Sequence, residues 1–288
     1  MPSQNEPVGL LGHTTALEFS RFVRVVALSF CVLIAGSTQL SAQHSPLVDA
    51  VDRSGFIFVG TVKALGSSTP TVARTRNSAV VRVDRVIEAL PPIGDPTGKD
   101  VTVRLRSSQK VQKGQRAIFF TYLQTAGKTL GLVEVMLQPE TQANKAEIQV
   151  KDARQLLADE ALTRRLTSAS MVVVGVFGEP QPTEEARERK GEHDPMWWRG
   201  PIKVESFEKG ERTEKPVFVN FASSDDVVWE RSPKPKAGER AIFLLQPRVG
   251  RAIEKEYEIP GLFLVDPLDM RPVTELDRIR KLIKASAH

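Results

Sequence analysis

The stretch Gly114-Gln115-Arg116-Ala117-Ile118-Phe119-Phe120 occurs a second time, lightly altered, as Gly238-Glu239-Arg240-Ala241-Ile242-Phe243-Leu244. Each copy opens on a glycine, passes one polar and one basic residue, and ends in a run that is apolar at every position. A glycine ahead of a short run rich in Ile and Phe reads as a turn leading into a strand. A strand whose side chains do not alternate between apolar and polar is one that is covered on both faces.

Moving outward, the neighbours of this pair also recur. Phe56-Ile57-Phe58-Val59-Gly60-Thr61-Val62 corresponds to Met171-Val172-Val173-Val174-Gly175-Val176-Phe177. Val81-Arg82-Val83-Asp84 corresponds to Ile202-Lys203-Val204-Glu205, and Val101-Thr102-Val103-Arg104 to Val217-Phe218-Val219-Asn220. A last apolar strand follows in each half, near Gly131-Leu132-Val133 and Phe263-Leu264-Val265. The blocks keep their order and only the gaps change length, which is the signature of a structural unit written twice. In the third block Val101, Val103 and Leu105 alternate with Thr102, Arg104 and Arg106, giving one buried and one wet face. Leu47 and Val51 before the first copy, and Leu162 and Leu166 before the second, have the spacing of four that marks one face of a helix. A closing helix is expected from Thr274, with Leu276, Ile279, Leu282 and Ile283 inward and Arg280, Lys281 and Lys284 in its last turn.

The expected fold is therefore mainly β: two tandem five-stranded OB-like barrels, each with an accompanying helix. An immunoglobulin-type sandwich, which wants about seven strands, is the alternative. The expected organisation is a signal peptide over residues 1–42, a first module over 43–150, a helical linker over 151–168 and a second module over 169–288 that ends in the closing helix. In the repeated blocks Val59-Gly60-Thr61-Val62, Val81-Arg82-Val83-Asp84 and Gly114 to Phe120, the chain resembles the netrin-like family, the OB-fold class that includes tissue inhibitors of metalloproteinases. The resemblance implies the barrel fold. It does not carry over protease inhibition, because those inhibitors ligate zinc through an N-terminal cysteine and carry disulfides.

The N-terminus has the layout of an export signal. Arg21 and Arg24 precede an apolar run from Val25 to Ile34, and small residues follow up to Leu40-Ser41-Ala42. The run is about half of the roughly twenty residues a membrane-spanning helix needs, so a cleaved leader fits better than an anchor. The stretch before Arg21 is long for a leader, as a start codon placed too early would give. Bulky Phe30, and an apolar run that continues past Cys31, argue against lipidation there. The expected location is periplasmic or extracellular. Cys31, the single cysteine, would leave with the leader, so the mature chain has neither a disulfide nor a thiolate metal site.

With 41% hydrophobic and 26% charged residues the chain has a core to bury. Its net charge of +5 is too mild to imply nucleic acid, although it suits an anionic envelope polymer. Of the four histidines, His13 lies in the leader, His44 beside the cut, and His288 at the end; only His193 lies inside a module. A multi-histidine metal site and a Cys-His nucleophile are thus excluded. Gly94 to Asp100 departs from a phosphate loop in its glycine spacing, and Asp100 stands where Ser or Thr would hold magnesium. Ser107-Ser108-Gln109-Lys110 follows a strand and lacks the companion motifs of penicillin-binding enzymes. Neither a cofactor nor a metal is expected.

One connection invites a binding role. The long segment after the second copy's first strand ends in His193-Asp194-Pro195-Met196-Trp197-Trp198-Arg199. In OB-folds the loop between strands one and two is a recurrent ligand loop, and Trp and Arg dominate binding hot spots. Trp197, Trp198, Arg199 and His193 are therefore the candidate ligand contacts. A competing reading folds the tryptophans back with Trp229 to plug one end of the barrel. Arg82, Arg104 and Arg106 form a second candidate, a basic face on the first module. These features point to a non-enzymatic binding protein whose partner is a protein or an anionic envelope polymer. A hydrolase using His193 and a structural envelope or adhesion component are the alternatives.

Overall fold

A strand apolar on both sides must be sandwiched, and in the computed structural model of the chain the repeated Ala-Ile-Phe runs are. The structure describes residues 44–106, 111–126, 129–183, 195–247 and 261–286. The first half comprises helix α1 (Pro46–Asp52) and strands β1 (Phe56–Leu65), β2 (Ser78–Ala89), β3 (Asp100–Arg104), β4 (Arg116–Ala126) and β5 (Thr129–Pro139). Helix α2 (Ala143–Ser168) leads to β6 (Met171–Phe177), the two-residue β7 (Gln181–Pro182), β8 (Met196–Lys209), β9 (Val217–Ser223), β10 (Arg240–Leu245), β11 (Leu262–Leu264) and β12 (Met270–Arg271). Helix α3 (Leu276–Ser286) ends the described chain, with Ile279 buried as the spacing predicts.

The chain is mainly β, in two sheets. The first is a closed barrel in the order β1-β2-β3-β5-β4, and the second runs β11-β9-β8-β6-β10-β12 with β7 beside β8. The two share register as well as sequence. Gly60 lies opposite Val83 and Ala117, and Gly175 opposite Val204 and Ala241. Ser78 faces Arg104 as Arg199 faces Asn220. Val103 pairs in parallel with Leu132, and Val219 with Leu262. Tyr122 faces Val133 in the β4–β5 ladder, and Gln246 faces Phe263 in the corresponding place.

The second sheet nonetheless departs from the expected five-stranded barrel. Its β10 and β11 are joined by that single bridge, with N···O distances of 3.1 and 2.8 Å, where β4 and β5 run side by side for many residues. The physical reason is an interruption: the strand that is continuous in β5 is split in the second half into β11 and β12 by the Pro267–Asp269 turn, and β12 pairs Met270 with Phe243 and Arg271 with Ile242 where β5 pairs Leu137 with Phe119 and Gln138 with Ile118. Strand β7 has no counterpart in the first sheet among the described residues.

Small details repeat too. The register slips between Val59 and Gly60, and again between Val174 and Gly175. A Cβ on Gly60 would stand 2.6 Å from Val81 and 2.9 Å from the Arg82 carbonyl; one on Gly175 would stand 2.6 Å from the Lys203 carbonyl. Both are bulge positions where the partner backbone approaches too closely for a side chain. Gly114 and Gly238 each have φ +83°, as the turn into the apolar strand demands. The Gly114 and Gly238 N–H groups donate at 2.8 Å to the Val62 and Phe177 carbonyls respectively. Behind each turn, Arg116 binds Asp84 at 3.0 Å and Arg240 binds Glu205 at 2.7 Å. The Arg240 guanidinium holds the Glu205 carboxyl below its ordinary value.

Alternation along β4 sends Ala117 and Phe119 into the barrel, against Phe58, Val83 and Val103, and sends Ile118 and Phe120 outward against Val51, Ala146, Val150 and Ala153 of the helices. In β10, Ala241, Phe243 and Leu245 go inward, while Ile242 and Leu244 meet Leu162, Leu166 and Ile279. The helical segment expected over 151–168 thus begins at Ala143 and is more than a linker. Its stripe Ala146-Val150-Ala153-Leu157 covers the first core, breaks, and resumes at Leu162 and Leu166 over the second. Its early half escapes sequence reading because the contact residues are small and Ile148 is 65% exposed.

Polar contacts fix this helix at its middle and near its C-terminal end. Arg154 donates to Glu88, at 2.6 Å from one carboxylate oxygen, and to the Ser54 carbonyl at 2.7 Å. Arg165 forks onto Asp269, which is wholly buried and also accepts from the Gln246 amide and the Val265 and Asp266 N–H groups. Burial pushes the Asp269 carboxyl above its ordinary value, against the pull of these donors. Lys209 donates to the carbonyls of Leu166, Thr167 and Ala169 and so caps the helix end.

Among the described residues no helix is long and apolar enough to cross a membrane. The leader, Cys31, His13, His288 and the Ser107 to Lys110 motif lie outside the described residues.

Asp269→Ala strands the Arg165 guanidinium and should lower the unfolding free energy by about 3–5 kcal/mol in urea denaturation. Gly175→Ala should cost about 1–3 kcal/mol, read the same way, because the new methyl meets backbone and not a movable side-chain tip.

Candidate functional site

Neighbouring residues on a strand point to opposite faces, and this separates the two tryptophans. Trp198 turns inward and packs, half-buried, against the second core with Phe221 and Ile202. Trp197 turns outward but is fully covered, because Trp229 and Phe263 close over it edge-on with ring centroids 5.5 Å away. Ala222, opposite Trp197 in register, is small enough to let those rings settle. Trp197 therefore leaves the set of candidate contacts: a side chain with no exposed surface cannot meet a partner. The reading in which it folds back onto Trp229 describes its environment. His193 lies outside the described residues.

Outward positions on β8 and β9 continue from this covered end. Next come Arg199 and Asn220, opposite each other, with the Arg199 Nε donating to the Asn220 Oδ1 at 2.8 Å. Beyond them stand Pro201 and Phe218, and Phe218 is 49% exposed. Strand β7 lies against this end of β8, pairing Gln181 with Arg199 and Pro182 with Trp198, and the Thr183 N–H donates to the Trp197 carbonyl at 2.9 Å. Between β7 and the two longer strands is a trough of about 420 Å³ lined by Glu179, Gln181, Pro182, Thr183, Arg199, Pro201 and Phe218. It offers a phenyl ring, two proline rings, one guanidinium and one carboxylate. The Thr183 hydroxyl is buried with no hydrogen-bond partner among the described residues.

Such a lining can hold a flat apolar surface on Phe218 and orient its polar rim with Arg199 and Glu179. The described lining holds one carboxylate, Glu179, and one guanidinium, Arg199. Among the described residues no group of three or more His, Cys, Asp or Glu side chains could hold a metal.

The equivalent face of the first module is closed. Thr102 occupies the place of Phe218 and was expected on the wet side of β3. It is buried, because the Thr69 N–H and hydroxyl reach it at 2.8 Å and the loop before β2 folds down on it. The basic face expected there is dispersed. Arg104 and Arg106 lie at one end of β3, reaching Gln124 at 3.4 Å and the Tyr122 hydroxyl at 2.6 Å. Arg82 pairs in register with Asp100 at the other end and lines a separate cleft.

Phe218, Pro201 and Glu179 escaped the sequence reading. A signal was present for Phe218: in Val217-Phe218-Val219-Asn220 a large apolar residue occupies the solvent phase of an alternating strand. Compared with known proteins, the chain matches no family model and no curated protein.

Proposed function

We propose that the chain is an exported, non-enzymatic binding protein built on two OB-like, netrin-like modules, and that the second module captures its partner in the Phe218 trough. The strand connectivity supports the OB-like reading, since the first sheet is a closed five-stranded barrel and its parallel pair recurs at the same register in the second sheet. The leader pattern of residues 1–42 supports export to the periplasm or the exterior. In OB-folds the outer face of strands two and three, beside the loop joining strands one and two, is a recurrent binding surface. The trough lies there, between β7, β8 and β9.

The observation that carries the proposal is the exposure of Phe218 beside Arg199 and two prolines, on a face that the first module closes with a loop. Phe218, Pro182 and Pro201 lie together and are rimmed by Arg199 and Glu179, the pattern of an interaction surface. The partner this chemistry fits is an envelope polysaccharide or a protein segment presenting a flat apolar face. Arg199 and Trp198 remain at the site, Arg199 as a rim contact and Trp198 as the ring that supports β8 from within.

Affinity capture from the native envelope, followed by mass spectrometry, tests this directly. Phe218→Ala should reduce recovery of the captured partner by about tenfold, a typical hot-spot loss, while the melting temperature shifts by only a few degrees. Equal recovery by the variant would refute the site. Trp197→Ala should behave oppositely, losing about 3–5 kcal/mol of stability in denaturant unfolding because it hollows a sealed cluster.

A further inference from the structure

The two modules also share a second cleft, away from the Phe218 trough, and its walls differ in a telling way. In the first module it holds about 490 Å³ and is lined by Thr61, Lys63, Arg82, Asp84, Thr97 and Arg116, among others. In the second it holds about 660 Å³, and Val176, Gly178, Lys203 and the segment from Thr213 to Val217 take part. Register equates Val176 with Thr61 and Lys203 with Arg82, and in sequence Gly178 follows Phe177 as Lys63 follows Val62.

The repeat thus serves as an internal control for what the fold itself requires. The Arg116–Asp84 ion pair returns as Arg240–Glu205, so it belongs to the scaffold. Arg116 is further engaged by Glu140, and Asp84 also accepts from the Thr61 hydroxyl at 2.6 Å. Lys63 has no such duty, since glycine serves in its place in the second copy. Lys63 and Arg82 are exposed on adjacent strands, and neither makes an ion pair or side-chain hydrogen bond with a described residue. Asp100, opposite Arg82 in register, lines a different depression. In the second cleft the cations Lys203 and Lys215 are matched by Glu179 and Glu214. The first cleft contains Asp84 alone as a carboxylate, and that group is already occupied.

We propose that the first-module cleft is an oxyanion site, in which Lys63 and Arg82 bind a phosphate or carboxylate group. A guanidinium supplies paired N–H donors to such a group, and an ammonium supplies a compact charge beside them. The Thr97 hydroxyl, now donating to Asp95 at 2.6 Å, lies on the same rim. This site is independent of the trough on the second module.

Isothermal titration calorimetry of the full chain at low ionic strength, with inorganic phosphate and with a polyuronate chain as separate probes, tests the proposal. At least one probe should bind, and binding should weaken as salt is added. Arg82→Gln, and the pair Thr61→Val with Lys63→Gly that copies the second module, should each weaken binding by about tenfold with little change in melting temperature. Lys203→Ala should bind as the unaltered chain does. Phosphate binding lost in the variants identifies a free small anion as ligand; polyuronate binding alone, lost in the variants, identifies a group carried on a polymer. Binding of neither probe, binding that survives in Arg82→Gln, or an equal loss in Lys203→Ala would overturn the proposal.

Discussion

Everything in this fold follows from the need to cover both faces of the Ala-Ile-Phe strand. One face is supplied by the barrel's own interior. The other needs an outside layer, and only helices are near enough to provide it. In the first module α1 and the early half of α2 lie over Ile118 and Phe120; in the second the late half of α2 and α3 lie over Ile242 and Leu244. Leaving either pair in water would forfeit roughly 25 cal/mol for every Å² of apolar surface. That demand explains why a helix rich in charge, with a broken apolar stripe, is nonetheless fixed by Arg154 at its middle and Arg165 near its C-terminal end.

The order of strands was legible because five apolar blocks recur in sequence, and even the bulge glycines announced themselves as Gly60 and Gly175. Register made the repeat sharper than sequence could, since Tyr122 and Gln246 have nothing in common chemically yet hold the same place. What stayed hidden depended on contacts between distant segments. The start of α2 rests on alanines that could face anything. The split of the second sheet's last strand into β11 and β12 goes with the contact between buried Asp269 and Arg165, and no local pattern encodes that. Trp197 and Trp198 are adjacent and alike in sequence, but the pleat sends one under Trp229 and the other into the core. The candidate trough was half legible: Arg199 was singled out for its type, while Phe218 was quoted only as part of a repeated block.

The two copies separate scaffold from specialisation. Where they agree, as in the glycine turns and the Arg–carboxylate pairs behind them, the residues close the barrel. Where they differ, the surfaces differ. The loop after the first strand seals Thr102 in one module, and in the other its described part, from Glu179 to Thr183, lines the trough beside Phe218. Lysine and threonine on one wall of the shared cleft become glycine and valine on its counterpart. The proposed division of binding between two unlike faces accords with this pattern, in which the cores are alike and the exteriors differ.

The continuous helix carries a consequence for the history and mechanics of the chain. The segment that was duplicated and the segment that holds together cooperatively have different borders: the seam between the copies falls within or beside a rod of 26 residues whose two ends belong to different cores. Severing the chain at that seam would leave at least one half with its central strand half-clothed. One splint shared by the two cores makes each half depend on the other.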